Sequence, residues 1–216
     1  MDSYYAIALQ TTVHAVNGCS TRDEARSAMD STLERLKVEI FAAKKFVGSD
    51  VRLVVLPEYF LTAYPMGDTI KGWADKAALL EDGPEYAKLG EIAKDNDIFI
   101  SGNAYEVDAH FEELYFQTSF IIDPKGDVIL RYRRLNSMYS PTPHDVWNKY
   151  LDIYGIEGVF PVADTEIGRL ACIASEEILY PEIARMFFIR GAEVGLHSTG
   201  EIGSAIETPK SISRKA

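Results

Sequence analysis

Val51-Arg52-Leu53-Val54-Val55-Leu56-Pro57-Glu58 carries the first decision about architecture. Up to Leu56 only Arg52 is polar, and β-branched valines dominate. A short, nearly continuous apolar run of this kind reads as a strand buried on both faces. Upstream, Ala25, Met29, Leu33, Leu36, Ile40 and Ala43 recur at helical spacing with charges between them, which predicts a long amphipathic helix from Asp23 to Phe46. Thr21 followed by Glu24 resembles a capping box at its start. A helix feeding a buried strand is the α/β pattern.

The same alternation extends in both directions. Tyr4 to Leu9 is an apolar run of strand length. Beyond Glu58 the sequence predicts a helix from about Gly83 to Asn96, a strand at Ile98 to Gly102, and strands at Tyr115 to Ile122 and Val128 to Tyr132. Asp123-Pro124-Lys125-Gly126-Asp127 between the last two is a hairpin signal. A strand at Gly168 to Ala174 leads into a helix at Pro181 to Arg190, where the proline suits a first turn, and then a strand at Glu193 to His197. Residues 137–158 carry Pro, Tyr, Trp and Asp without clear period and are expected to form a pocket-lining or lid loop. No repeat or linker is visible, so residues 1–216 are expected to form one domain with mixed sheets. Thr208-Pro209-Lys210 resembles a helix start only two turns before Ala216, so part of the C-terminal fold is expected to be missing.

The 216 residues hold 22 Lys+Arg against 33 Asp+Glu, a formal charge of −11. A surface this acidic excludes nucleic acid as a partner, because phosphate contact needs a basic patch. With 47% hydrophobic residues the composition is globular and not disordered. No apolar run approaches the roughly 18 residues of a membrane span, and Met1-Asp2-Ser3-Tyr4 lacks a basic leader. A soluble cytoplasmic protein without a membrane partner is therefore expected. Cys19 and Cys172 make neither a disulfide framework nor a metal-binding pattern.

Two positions are placed for chemistry. Glu58 follows an apolar strand and a proline, at the strand end where α/β proteins put their sites. The alternative is an acid favoured by a helix N-terminus. Ser175 stands where the Gly168 to Ala174 strand ends and a helix soon begins. Such elbows expose nucleophiles and offer amides to an oxyanion, although a serine there also serves as a helix cap. His197 and Thr199, at a later strand end, either line the same pocket or, for the histidine, make ordinary structural hydrogen bonds.

Taken in order, several segments resemble the carbon-nitrogen hydrolase (nitrilase) superfamily, its aliphatic amidase and nitrilase branches in particular. They are Ala8-Leu9-Gln10, Leu53 to Glu58 with Tyr59 to Pro65, Ile100-Ser101-Gly102, Thr118 to Gly126, Arg131-Tyr132-Arg133-Arg134, and Tyr180-Pro181-Glu182 with Arg190 to Glu193. The resemblance implies a four-layer α-β-β-α sandwich, self-association through helices into a homo-oligomer, and hydrolysis of a small amide or nitrile without metal or organic cofactor. It also implies a Glu-Lys-Cys triad, of which only Glu58, the general base, is kept. The lysine position corresponds to Arg134, and the nucleophile position, six residues before Pro181, to Ser175. Cys172 lies three positions earlier, on the other side of the pleat, and is expected to be a buried structural residue.

The substitutions matter chemically. A thiol with a pKa of about 8.5 ionises readily, whereas a hydroxyl several units higher costs roughly 1.4 kcal/mol per unit unless proton removal accompanies attack. Arginine keeps the positive charge of lysine but spreads it over a planar fork, suited to holding a carboxylate, whether a ligand's or that of Glu58. Both changes conserve chemical type, which favours a serine hydrolase with Ser175 as nucleophile, Glu58 as base and Arg134 as cationic stabiliser. The alternative is an inactive relative that binds a small molecule or protein partner. Tyr64, His144, Asp145, Trp147, Glu176, His197 and Thr199 are the candidates for substrate contact.

Overall fold

The computed structural model describes residues 3–200. The helix start expected at Thr208 lies outside the described residues. Strand β1 (Tyr5–Ala8) leads to helix α1 (Arg22–Val47). The Thr21 hydroxyl accepts the Glu24 N–H at 3.2 Å, while the Glu24 carboxylate accepts the Ser20 N–H at 2.7 Å, one residue before the position a capping box uses. Asp23 and Glu24 in the first turn and Lys44 and Lys45 in the last complement the helix dipole. Met29, Leu33, Leu36 and Ile40 face inward from α1. Each contributes roughly 1.5–3 kcal/mol by leaving water.

Strand β2 (Val51–Val55) lies parallel between β1 and β4 (Phe99–Val107). Antiparallel β5 (Phe116–Ile122) and β6 (Val128–Arg133) continue the sheet, and short β3 (Leu79–Leu80) pairs with the far end of β4. A second sheet holds β7 (Ala163–Thr165), β8 (Gly168–Ala174) and β9 (Val194–Ser198) in that order. Helices α2 (Ile70–Ala77) and α3 (Pro84–Asn96) join α1 over the larger sheet, and α5 (Pro181–Ile189) packs Ile183 and Phe187 against the core of the smaller one. This is the expected α-β-β-α sandwich.

The β2 run fails to alternate because it serves two cores. Val54 and Leu56 join Leu36 and Ile40 in the helix-to-sheet core. Leu53 joins Phe116, Leu170 and Leu196 in the core between the sheets. The sheets are also tied by polar atoms at the ends that carry the site. Ser198 Oγ donates to the Leu56 carbonyl at 3.0 Å, and Ser101 Oγ meets Cys172 Sγ at 3.8 Å. Burial pushes the Cys172 thiol up to about 12, as suits a structural cysteine.

The structure corrects three local expectations. β4 continues past Gly102 to Val107 because its polar Asn103 and Glu106 find buried partners, Ser119 for the first and Tyr86 and Arg131 for the second. Residues 137–158 line a cavity from Ser137 to His144, as expected, but are not loop throughout: a 3-10 turn (Pro143–Val146) leads into helix α4 (Trp147–Tyr154). The spacing of Trp147, Tyr150, Leu151 and Tyr154 supplies the apolar face of that helix. Helix α2 was absent from the sequence expectations, and Thr69 caps it by accepting the Gly72 N–H at 3.0 Å.

Candidate active site

Glu58 is carried into place by β2. The Leu56 N–H donates to the Ser101 carbonyl at 2.8 Å, which carries the pairing with β4 one residue past the strand end, and the chain then turns through Tyr59 with φ 52. The Tyr59 ring stacks on Tyr105 with centroids 4.8 Å apart. No helix begins at Glu58; the next one starts at Ile70, so the helix-dipole alternative is set aside. The Glu58 carboxylate is 5% exposed and accepts from Gln117 Nε2 and from the Gly200 N–H, each at 2.9 Å.

Arg134 follows directly on β6. Its Nη1 donates to Gln117 Oε1 at 2.7 Å, its Nε to the Asn136 carbonyl at 2.6 Å, and its Nη2 pairs with the Glu176 carboxylate. The carboxylate it holds is thus that of Glu176, and its link to Glu58 runs through Gln117. Burial alone would lower the guanidinium; Tyr59, Glu176 and Glu177 outweigh it and hold Arg134 above the ordinary arginine value.

Ser175 directly follows β8 in the left-handed region at φ 50 and opens a 3-10 turn (Ser175–Leu179). In an extended strand successive side chains point to opposite faces. The left-handed residue instead brings neighbours together: Ser175 Oγ donates to Glu176 Oε2 at 2.7 Å, the same oxygen that Arg134 holds. Non-glycine residues held at positive φ cluster at functional sites, where the surroundings over-determine the strain. The surroundings here include His197, whose Nε2 lies 2.8 Å from the Ser175 carbonyl, and Glu177. Glu177 accepts from the Tyr132 hydroxyl at 2.7 Å and from the Leu135 and Asn136 N–H groups at 2.8 and 3.0 Å. Burial raises its carboxyl even so.

A cavity of about 1090 Å³ opens onto this cluster. Glu58, Arg134 and Glu176 give it a charged end, and Tyr59, Tyr64 and Tyr105 an aromatic wall. His144 also lines it; Ser175 does not, being 1% exposed behind Glu176. Trp147, Asp145, His197 and Thr199 lie off the cavity wall. The Trp147 ring sits 5.1 Å from that of His144 and packs on the inter-sheet core, and Asp145 accepts the Thr142 N–H at 2.7 Å. Thr199 stands between Ser198 and Gly200, both bonded to the Leu56–Glu58 segment. Among the described residues no group of three His, Cys, Asp or Glu side chains is arranged to hold a metal ion.

Two residues of the cluster, Gln117 and Glu177, were not among the sequence candidates. A signal existed for each: a polar side chain inside the buried run Phe116–Ile122, and a second glutamate at an elbow between apolar segments. Such groups must find partners when buried.

The family model described as carbon-nitrogen hydrolase matches residues 8–215. The chain belongs to this family. Among curated relatives, nitrilase homolog 2 of Dictyostelium discoideum is 28% identical over 143 residues, 66% of this chain and 42% of the relative. A formamidase of Bacillus cereus (strain Q1) is 29% identical over 179 residues, 82% of this chain and 49% of the relative. This carbon-nitrogen hydrolase chain therefore spans about half the length of the curated relatives it matches. Among solved structures, an amidase of Nesterenkonia sp. AN1 in complex with butyramide shares the fold with a TM-score of 0.61 at 17% identity, over 92% of this chain and 66% of that one.

Proposed function

We propose that the protein hydrolyses a small amide to an acid and ammonia through an acyl ester on Ser175. The observation that carries this is that Glu58 and Arg134, from two separate strand ends, line one cavity, and that Ser175, held at φ 50 directly behind it, is joined to Arg134 through the shared Glu176 Oε2. The family relationship supports it, as do a formamidase among the relatives and an amide bound in a fold neighbour.

In the resting arrangement the Glu176 carboxylate covers Ser175 and occupies Arg134. Substrate displaces it, so that the guanidinium meets the developing oxyanion in place of a carboxylate. Attack by Ser175 Oγ on the carbonyl carbon forms the ester; the hydroxyl proton passes by way of Glu58 to the departing nitrogen, which leaves as ammonia. Water then attacks the ester carbon, giving its proton to Glu58, and the proton returns to Oγ as the acid departs. The cluster needs no metal or organic cofactor for these steps, and a homo-oligomer in the cytoplasm is the expected setting.

The test is ammonia release by the full-length protein over a panel of small amides and nitriles, with Ser175→Ala beside it. Release by the wild type that disappears in the alanine variant is the expected result. Equal release by both, or none by the wild type, overturns the proposal.

A further inference from the structure

Gln117 stands on β5 opposite Tyr105 of β4 and is 1% exposed. Every polar atom of its side chain is engaged. Oε1 accepts from Arg134 Nη1 at 2.7 Å, and Nε2 donates to Glu58 Oε1 at 2.9 Å and to Asn103 Oδ1 at 3.2 Å. Its main-chain carbonyl also accepts the Arg134 N–H at 2.9 Å. Asn103 is fixed in turn, donating from Nδ2 to Ser119 Oγ at 2.9 Å. These partners allow the carboxamide one orientation. A flip would set its NH2 group against the guanidinium and its oxygen against the Glu58 carboxylate.

Opposite charges removed from water attract strongly, and a guanidinium seeks a carboxylate to grip with its fork. Glu58 and Arg134 bind opposite ends of the same small amide. Without its carboxamide the two groups lose the polar side chain that bonds both of them, and the guanidinium is drawn from Glu176 toward the Glu58 carboxylate, neutralising the base. We infer that Gln117 is a positioning residue: its buried carboxamide keeps Glu58 and Arg134 apart, so that each presents its charge to the cavity. The inference rests on the proposed roles of those two side chains in amide hydrolysis. Gln117 itself exchanges no proton and forms no bond with substrate.

The experiment pairs crystallography with kinetics for Gln117→Met, which keeps the length and removes the polar atoms, and Gln117→Glu, which keeps an acceptor for Arg134 and sets a carboxylate against Glu58. In a crystal structure of the methionine variant the Arg134 guanidinium is expected on the Glu58 carboxylate. In the glutamate variant Arg134 is expected to stay while Glu58 turns away. Both variants are expected to lose kcat by about 100-fold with KM changed less than about threefold, the signature of misplaced reacting groups and not of lost binding. Arg134 and Glu58 unmoved in the methionine variant, or kcat within about threefold of wild type in either folded variant, overturns the inference. If the methionine variant does not fold, the nearly isosteric glutamate variant decides by the position of Glu58. A wild type that releases no ammonia refutes the proposed hydrolysis, and the crystal structures still decide the role of Gln117.

Discussion

Replacing Glu177 by leucine tests whether the site is held from behind by a single carboxylate. Glu177 is 0% exposed and receives three hydrogen bonds, from the Tyr132 hydroxyl, the Leu135 N–H and the Asn136 N–H. Leucine fills much of the same volume and satisfies none of them. Leaving a buried donor without a partner costs about 1–3 kcal/mol. Tyr132 and Leu135 are buried, whereas Asn136 is half-buried and can recruit water, so two donors count in full. The expected loss is about 2–6 kcal/mol, with a centre near 3 once the apolar gain of leucine is included. For a chain of this size that lowers Tm by roughly 6–12 °C. Urea unfolding followed by circular dichroism measures it, with Tyr132→Phe, which removes one hydroxyl, expected to lose about 1 kcal/mol. The segment that leucine frees carries Asn136, whose carbonyl fixes the Arg134 guanidinium, so the proposed turnover is expected to fall along with stability. A Glu177→Leu protein within about 1 kcal/mol of wild type would show that the three bonds contribute nothing net and would sink the reasoning.

Glu177→Gln reports on the charge alone. Burial raises the Glu177 carboxyl above 4.5, so its contribution to stability is complete below that value and is lost as pH climbs through the raised one. The glutamine variant therefore gains on wild type as pH rises from the acid side, and a constant difference across pH contradicts this. Glu176→Gln weakens the pair with Arg134 that covers Ser175. At about 0.5–1 kcal/mol for so exposed a carboxylate, phosphonylation of Ser175 by an organophosphonate, read by intact mass, is expected to accelerate two- to fivefold. Gly90→Ala places a Cβ 2.5 Å from the Gly126 carbonyl oxygen, and Gly126 is itself committed to a turn at φ +94. The expected cost is about 1–3 kcal/mol, and unchanged denaturant midpoints refute it. Cys172, its thiol pushed up to about 12, is expected to resist iodoacetamide at pH 8 in the native protein while half-buried Cys19 is alkylated, so that intact mass shows one addition.

Much of the framework was legible because it follows from short-range pattern. The run at Val51, the α1 periodicity and the Asp123-to-Asp127 turn each name an element within a residue or two of its observed ends. What escaped depended on partners distant in sequence. Asn103 and Glu106 argue against a strand when read locally, and they extend β4 because Ser119, Tyr86 and Arg131 wait across the fold. Helix α4 was hidden by a proline-rich approach, although its aromatic spacing was present. In the site, Glu58, Arg134 and Ser175 could be placed by motif order. Gln117 could not, since its role exists only when β5 comes to lie between the strand ends that carry Glu58 and Arg134.

The serine and the arginine of the proposed site answer one another in the structure. An ammonium group concentrates its donors at a point, whereas a guanidinium spreads them along a flat edge. Arg134 uses that edge to reach Gln117, Asn136 and Glu176 at once. Glu176 can be reached because the left-handed Ser175 turns its neighbour's carboxylate toward its own hydroxyl. A hydroxyl is a poorer nucleophile than a thiolate, so the carboxylate that covers it at rest must give way to substrate, and in a cavity that already holds Glu58 this second carboxylate is balanced by the broad cation. Serine, arginine and the carboxylate between them therefore form one unit, and the glutamine behind keeps that unit from closing onto Glu58.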